Sequence, residues 1–178
     1  YLMGVNYFIC VIASRASAKS FIIALYSCCK CILYPGSKIV LASGTKGQAK
    51  LLVSEKIQQE LMGMSPRLRS EIRKVVENQS ETVVSFWNKS TITVVVANDN
   101  ARGHRSTVIV REEFRQIKKY IDDSVISPLQ IIRPVPYLMD EYYANIPELQ
   151  EENFDIYISS SWYDNGAWMW QIVDQAFD

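Results

Sequence analysis

The stretch FICVIASRASAKSFIIALYSCCKCIL, residues 8–33, indicates the fold of this chain most clearly. Residues Tyr7 to Ile12 form an apolar run rich in β-branched and aromatic side chains, which predicts a strand. Residues Ser20 to Leu33 predict a helix that is apolar all round and therefore buried. A polar loop, ASRASAKS, joins the two at residues 13–20. Because such a loop turns backbone N–H groups and the positive end of a helix toward one point, it predicts an anion site.

The end of this loop has the residue types of a phosphate-binding loop. Lys19 and Ser20 match the last two positions of the pattern G-x-x-x-x-G-K-[ST], in which the lysine reaches the β- and γ-phosphates and the hydroxyl binds Mg²⁺. Alanines, Ala13 and Ala18, stand at both glycine positions; they leave the backbone accessible but make a positive φ more costly by about 1 kcal/mol. An ordinary polar turn is the alternative, and Arg15 suits either a solvated turn or a guanidinium beside a triphosphate.

Size and composition indicate one globular domain. The 178 residues are 48% apolar and 21% charged, which is typical of a folded domain with a single core. Nineteen basic and nineteen acidic residues give no net charge, so composition offers no electrostatic reason to expect nucleic acid or a membrane as a partner. Residues 21–33, the most apolar segment, are fewer than the ~20 that cross a bilayer. The four cysteines lack the spacing of a zinc site, and we expect reduced core thiols.

Short strands and helices alternate along the rest of the chain. The predicted strands are Lys38–Ala42, Thr82–Trp87, Thr91–Ala97, Thr107–Val110 and Asp155–Ser159. The predicted helices are Lys46–Leu61, with a capping box at Thr45 and Gln48, and Gly166–Phe177. This alternation predicts a mostly parallel sheet with helices on both faces. The NKS turn between the second and third of these strands predicts an antiparallel hairpin.

A second motif, STVIVREEF at residues 106–114, is an apolar strand that ends in two acids, Glu112 and Glu113. At the carboxyl end of a parallel strand, one carboxylate can hold the water shell of Mg²⁺ and the next can orient or deprotonate an attacking water. Two acids at a helix start, where the helix dipole favours them, are the alternative. Because the pair follows a Lys-Ser loop in an alternating α/β chain, we favour the first interpretation.

Two further polar segments flank predicted strands. NDNARGHRS, residues 98–106, contains Arg102 and is either a solvated turn or a loop that delivers an arginine to phosphates of a neighbouring subunit. ISSSW, residues 158–162, places Ser159, Ser160 and Ser161 at a strand end, where hydroxyls can sense a γ-phosphate or a bound water. An ordinary strand-to-loop transition is the alternative for this second segment.

Together these segments resemble the ATPase (motor) domain of the large terminase subunit, the DNA-packaging motor of tailed bacteriophages and herpesviruses. That family has a phosphate loop with an internal arginine, as in SRASAKS, and an acidic strand end followed by an aromatic residue, as in VIVREEF. It also has a Ser/Thr-rich coupling motif, as in ISSS. The motifs stand in the family's order, the stretch ARGHRSTVIVREEF is the most specific, and the resemblance covers residues 7–170.

The resemblance implies an α/β fold, that of a P-loop NTPase of the additional-strand (ASCE) type. Such a fold has a mostly parallel central sheet flanked by helices, here with a β-hairpin. We expect a single terminase-like ATPase domain over residues 1–178, as a fragment of a longer protein. We expect the segment for adenine recognition upstream of the first strand to be missing or truncated and the nuclease domain to be absent, and we therefore expect no DNA cleavage.

The resemblance also implies roles for individual residues. Glu113 is the catalytic carboxylate, and Ser20 and Glu112 hold Mg²⁺, the latter through water. The family usually has Asp where this chain has Glu112, so the opposite assignment of the two glutamates stays open. Arg102 is the arginine finger that acts on an adjacent subunit, and Arg15 lies near the γ-phosphate. The nucleotide-binding loop comprises Ser14, Arg15, Ala16, Ser17, Ala18, Lys19 and Ser20, and the coupling segment comprises Ser159, Ser160 and Ser161.

The implied function is Mg²⁺-dependent ATP hydrolysis that drives double-stranded DNA into a procapsid. The implied partners are DNA, the portal protein, the small terminase subunit and further copies of the chain in a homo-oligomeric ring. We expect no membrane partner and a location in the host cell cytoplasm rather than in the mature virion. Two alternatives stay open: another P-loop DNA-dependent ATPase of helicase type, which would lack the arginine inside the loop, and a decayed assembly domain that does not hydrolyse ATP.

Overall fold

The runs of β-branched residues form a seven-stranded central sheet. This computed structural model describes residues 7–78, 81–131, 141–146, 153–161 and 168–176. Across the sheet the strands follow the order β1-β7-β6-β2-β5-β4-β3. In chain order the strands are β1 (Phe8–Ile12), β2 (Lys38–Ser43), β3 (Ile72–Glu77), β4 (Glu81–Phe86), β5 (Thr91–Val96), β6 (Val108–Glu112) and β7 (Phe154–Ser159).

The parallel part of the sheet has the additional-strand arrangement. The first five strands of this order, β1, β7, β6, β2 and β5, are all parallel. Strand β7 lies between β1, which leads into the Lys-Ser loop, and β6, which ends in the acids. Its register pairs Ile12 with Ser159 and Ile158 with Glu112. Because parallel strands end at a common edge, all three motifs reach the same side of the sheet, and the predicted fold class is confirmed.

The predicted hairpin is confirmed and extends further than the sequence indicated. Strands β4 and β5 pair antiparallel, and β3 adds to β4 as an antiparallel strand at the end of the sheet. Strand β3 was not predicted. Its segment IRKVVE carries two adjacent exposed charges, Arg73 and Lys74, which hide the alternation of apolar residues that marks a strand. Charged side chains are also a common protection of an edge strand against pairing with other molecules.

Helices occupy both faces of the sheet. The predicted helix Lys46–Leu61 is helical throughout but changes its hydrogen-bond spacing. At its start Thr45 Oγ1 accepts a hydrogen bond from Gln48 N at 3.3 Å. The helical segments are α1 (Lys19–Leu33), α2 (Lys46–Leu51), a π-helix (Leu52–Leu61) ending in one α-turn (Met62–Met64), α3 (Pro66–Glu71), α4 (Lys119–Ile121) continued by a π-turn (Asp122–Ile126) and a 3₁₀ turn (Ser127–Leu129), α5 (Glu141–Ala144) and α6 (Met169–Gln175). The ends of the predicted helix Gly166–Phe177 lie outside the described residues.

The prediction that α1 is buried all round is wrong. Ile23, Ala24 and Cys31 are completely buried against the sheet, whereas Leu25 and Leu33 on the outer side are 40% and 72% exposed. A helix in an outer layer buries one stripe of its surface, here against the sheet and the π-helix, and leaves its outer side exposed. None of the helices in the described parts of the chain combines the length and apolar character that a bilayer crossing requires.

Alternation along the strands gives the sheet an apolar cluster on each face. In β2, Ile39 and Leu41 pack in the cluster beneath α1 and the π-helix. Their neighbours Val40 and Ala42 pack on the opposite face, with residues of the α4 region and α6. Burial of each large apolar side chain contributes about 1.5–3 kcal/mol, so the two clusters hold the strand ends in fixed positions. Those strand ends carry the polar residues of the site.

Candidate nucleotide site

The carboxyl edge of the parallel strands brings the three predicted motifs together. The polar loop follows β1, the acid pair ends β6, and the serines end β7. The backbone N–H of Ala13 donates to the carbonyl of Ser159 at 3.1 Å, which extends the β1–β7 ladder by one residue into the loop. The loop therefore starts from a rigid strand end beside the other two motifs.

The loop takes the left-handed backbone that glycine would favour. Ala16 and Ala18 have φ values of 62° and 57°, at a cost of about 1–2 kcal/mol each relative to glycine. Ala13, by contrast, has no positive φ and continues the strand. The curl that results surrounds the lysine ammonium, because Lys19 Nζ donates to the carbonyl oxygens of Ser14 at 2.7 Å and Ala13 at 3.3 Å.

A cavity of about 480 Å³ opens above this loop, a volume in the range of small-ligand sites. Its wall consists of residues 15–21, Lys56, Glu60 and Glu113, so the predicted phosphate lysine and the second acid face the same space. Arg15 lies on this wall, is exposed, and forms no hydrogen bond or ion pair with another described residue. The site thus combines backbone N–H groups at a helix start with the cations Arg15 and Lys19.

Glu112, the last residue of β6, binds the serine that closes the loop. Ser20 Oγ donates a short hydrogen bond to Glu112 Oε1, and the glutamate is 7% exposed. Burial raises the pKa of Glu112, although the hydrogen bond from Ser20 partly opposes this effect. Hydroxyl and carboxylate oxygens are hard ligands that suit Mg²⁺, which is held in such sites by few protein groups. In the described residues no three His, Cys, Asp or Glu side chains form a fuller metal cluster.

Glu113 is turned in a different direction from Glu112. Its left-handed backbone, with φ 49°, breaks the strand and turns the carboxylate toward the end of β7. There it accepts hydrogen bonds from Arg115 Nε at 2.9 Å, from Ser160 Oγ at 2.9 Å and from Ser159 Oγ at 3.3 Å. Burial by itself raises the pKa of Glu113, but the hydrogen bonds from Arg115 and Ser160 outweigh it and hold the pKa below its ordinary value. The carboxylate is therefore ionised at neutral pH.

Solved structures that are similar to this chain include DNA-packaging proteins of phages. The ATPase domain of the Thermus phage P74-26 large terminase has a TM-score of 0.57 at 16% identity, covering 92% of this chain and 62% of that chain. The bacteriophage HK97 large terminase has a TM-score of 0.68 at 12% identity, covering 97% of this chain and 33% of that chain. The N-terminal domain of the phi29 DNA-packaging ATPase has a TM-score of 0.51 at 14% identity, covering 96% and 81%.

This chain has the fold of a large terminase ATPase domain. The resemblance inferred from the sequence is thereby confirmed at the level of the fold. No family model and no curated protein matches the sequence. The chain spans 62% of the P74-26 domain and 33% of the HK97 protein. Nearly all of this chain therefore aligns with those structures, but only part of each of those structures aligns with this chain.

Arg102 does not line the cavity of its own chain. It follows the 3₁₀ turn Asp99–Ala101, and its guanidinium is paired with Asp99 at 3.1 Å and donates to the carbonyl of Ser124 at 3.4 Å. The side chain is 59% exposed. Of the predicted coupling serines, Ser159 and Ser160 are buried at the acid pair, whereas Ser161 is exposed.

Sequence reasoning missed several residues of the site. Lys56 and Glu60 line the cavity from the π-helix, and Arg115 binds Glu113. Lys56 and Glu60 are charged residues four apart on a helix, a pattern common to many exposed helix faces, so no sequence signal separates them from solvated residues. Arg115 comes two residues after the acid pair and needed the left-handed turn at Glu113 to reach it.

Arg111 gave a clearer signal, because it interrupts the apolar run of β6. It is 1% exposed, and its Nε lies 2.5 Å from Asp122 Oδ1. Its other nitrogens contact Asp155 of β7 and Ser127 Oγ, and the guanidinium lies over the Tyr157 ring at 4.3 Å. Burial disfavours the charge, but the two carboxylates hold the pKa of Arg111 above its ordinary value. This network connects the end of β6 to β7 and to the two turns that follow α4, directly before the acid pair.

Proposed function

We propose that this chain is the ATP-hydrolysing motor module of a viral DNA-packaging machine that drives double-stranded DNA into a procapsid. One observation carries the proposal: Lys19, at the end of the loop after β1, and the carboxylate of Glu113 line one cavity at the carboxyl edge of an additional-strand sheet. A phosphate cradle opposite a carboxylate is the arrangement that nucleotide hydrolysis requires. The terminase fold and the internal Arg15 favour packaging over a helicase.

The roles that we propose for the residues draw on their positions in the cavity. The N–H groups of residues 14–20 and the Lys19 ammonium bind the phosphates, and Arg15 adds a guanidinium to them. Ser20 and Glu112 would hold Mg²⁺, which neutralises phosphate charge when bound. Glu113 orients the attacking water and accepts a proton from it. A carboxylate with a low pKa is ionised at neutral pH and is therefore present in its basic form.

Ser160 connects this chemistry to the rest of the domain. Its hydroxyl and its N–H both donate to Glu113, at 2.9 and 3.4 Å, so any movement of the β7 end moves the carboxylate. Changes at the nucleotide thereby reach the segment that follows β7. This contact is the physical basis that we propose for coupling hydrolysis to motion.

Turnover of ATP by single-site variants tests the assignment. Lys19→Ala should abolish nucleotide binding, whereas Glu113→Gln should bind Mg²⁺–ATP with unchanged affinity and lose at least about a hundredfold in turnover. The separation matters, because a merely misfolded variant loses both properties. Undiminished turnover in both variants would rule out this site.

Arg102 requires a second copy of the chain, since it is remote from its own cavity. An arginine supplied in trans is worth about 10³–10⁵ in rate, so the monomer should hydrolyse ATP slowly. Lys19→Ala and Arg102→Ala should each be inactive alone, and mixing the two should restore part of the activity under conditions of assembly. A mixture that stays inactive, although the chains assemble, argues against a role in trans.

A decayed assembly domain is the second candidate, favoured by the strained Ala16 and Ala18 and by the Ser20–Glu112 hydrogen bond at the metal position. Titration with a fluorescent ATP analogue and Mg²⁺ distinguishes the two. The motor binds the analogue, and the decayed domain does not.

A further inference from the structure

Lys56 and Glu60 belong to the cavity but to none of the sequence motifs. They lie on the π-helix Leu52–Leu61, whose buried side chains include Ile57 and Leu61. Because these apolar residues are anchored in the core next to α1, the backbone that carries Lys56 is held at a fixed distance from the loop. The two charged side chains are 29% and 34% exposed and form an ion pair with each other. They line the same cavity as the loop and are partly shielded from solvent.

The balance of charge on the cavity wall favours an anionic ligand. Arg15, Lys19 and Lys56 contribute three positive charges, and Glu60 and Glu113 contribute two negative ones. Glu113 is already saturated by donors from its own chain. Glu60 is therefore the one wall carboxylate that pairs with a wall cation, and it masks the positive charge of Lys56.

The ion pair between Lys56 and Glu60 is easily broken. A pair four residues apart on a helix contributes little to stability when it is partly exposed. The hydrogen bond to Glu60 raises the pKa of Lys56, so the ammonium stays charged at neutral pH. A phosphate chain offers several anionic oxygens in place of one carboxylate, and the flexible lysine stem can follow them without movement of the helix.

We propose that Lys56 is a further phosphate-binding residue of this site, and that it leaves Glu60 for the phosphate chain when a nucleotide enters. This inference rests on the proposed function, since it adds a ligand to the same triphosphate. It makes the helix after β2, rather than the Lys-Ser loop alone, part of the nucleotide site. Glu60 is then the residue that pairs with the Lys56 ammonium and balances its charge in the free protein.

Equilibrium binding of a fluorescent ATP analogue with Mg²⁺, and its displacement by inorganic tripolyphosphate, tests this proposal. Lys56→Gln should weaken both the analogue and tripolyphosphate by about tenfold, the usual effect of losing a charge-assisted hydrogen bond. Glu60→Gln should tighten both, because the competing carboxylate is gone. Lys56→Arg keeps the charge and should restore most of the affinity, which excludes a loss caused by misfolding.

The matched control breaks another ion pair of the same spacing. Lys119 and Asp123 are also four residues apart on a helix, at 2.8 Å, and neither lines the cavity. Lys119→Gln should leave both affinities unchanged. If Lys56→Gln behaves like this control while Lys19→Ala loses binding, Lys56 is only a helix-stabilising residue and the proposed function stands. If the unmodified chain binds neither ligand, the proposed function is wrong and the role of Lys56 with it.

Discussion

Replacement of Ser160 by alanine probes the contact between the serine segment and the acid pair. Ser160 is 5% exposed, and its hydroxyl donates to both carboxylate oxygens of Glu113, at 2.9 and 3.1 Å. A hydrogen bond to a charged group contributes about 1.5–3 kcal/mol, and Ser160→Ala should lower the free energy of unfolding by about 2 kcal/mol at pH 7.

The dependence of this loss on pH identifies its cause. The folded-state pKa of Glu113 is depressed, so its contacts stabilise the protein above the unfolded-state value of about 4.3 and lose that effect as the pH falls through the folded-state pKa. The loss caused by Ser160→Ala should therefore be complete at pH 7 and shrink below about pH 4. Denaturant unfolding followed by tryptophan fluorescence over this range measures it.

Ser159→Ala is the control, because its hydroxyl lies further from Glu113, at 3.3 Å, and should contribute less. A double-mutant cycle of Ser160→Ala with Glu113→Gln should return a coupling energy of about 1 kcal/mol or more at pH 7. A loss of under about 0.5 kcal/mol, or an equal loss at pH 3 and pH 7, would refute this reasoning.

Three further changes follow from the geometry. Ala18→Gly should raise the free energy of unfolding by about 0.5 kcal/mol, since relief of the left-handed strain exceeds the entropy that glycine adds to the unfolded chain. Ala13→Gly should lower the free energy of unfolding, because Ala13 has no such strain. Denaturant unfolding measures both variants, and equal losses in the two would contradict the strain at Ala18. Glu112→Gln should raise the melting temperature at pH 8, because burial raises the pKa of Glu112 and penalises its charged form. This gain should vanish on acidification, when Glu112 is protonated. A gain in melting temperature that does not depend on pH would exclude the buried charge as its cause. Arg111→Met should lower the free energy of unfolding by about 3–5 kcal/mol, because it leaves two carboxylates unpaired. Arg102→Ala at the surface should lower it by under about 1 kcal/mol. Similar losses in the two variants would contradict the buried network.

The sheet was predictable from the sequence where apolar residues alternate or run together. Each predicted strand is present, because β-branched runs bounded by polar turns leave few other structures open. Strand β3 escaped prediction, since Arg73 and Lys74 occupy it on the exposed edge. The burial of α1 was overestimated for a related reason. The sequence shows that Leu25 and Leu33 are apolar, but it does not show that both lie on the side of the helix that faces away from the sheet.

The site was predictable where it depends on local order along the chain. The Lys-Ser loop and the acid pair each occupy a strand end, and parallel strands bring such ends together. The separate orientations of Glu112 and Glu113 depend on a left-handed backbone that a glutamate rarely adopts, which no sequence pattern indicates. Lys56 was out of reach because only the packing of the π-helix against α1 brings it to the cavity.

A crystal structure of the chain soaked with a non-hydrolysable ATP analogue and Mg²⁺ gives the most direct test. We predict phosphate density against the N–H groups of residues 14–20, within hydrogen-bond distance of Lys19 and across the cavity from Glu113. Phosphates bound elsewhere on the protein, or an unchanged loop at saturating analogue, would contradict the assignment of this edge as a nucleotide site.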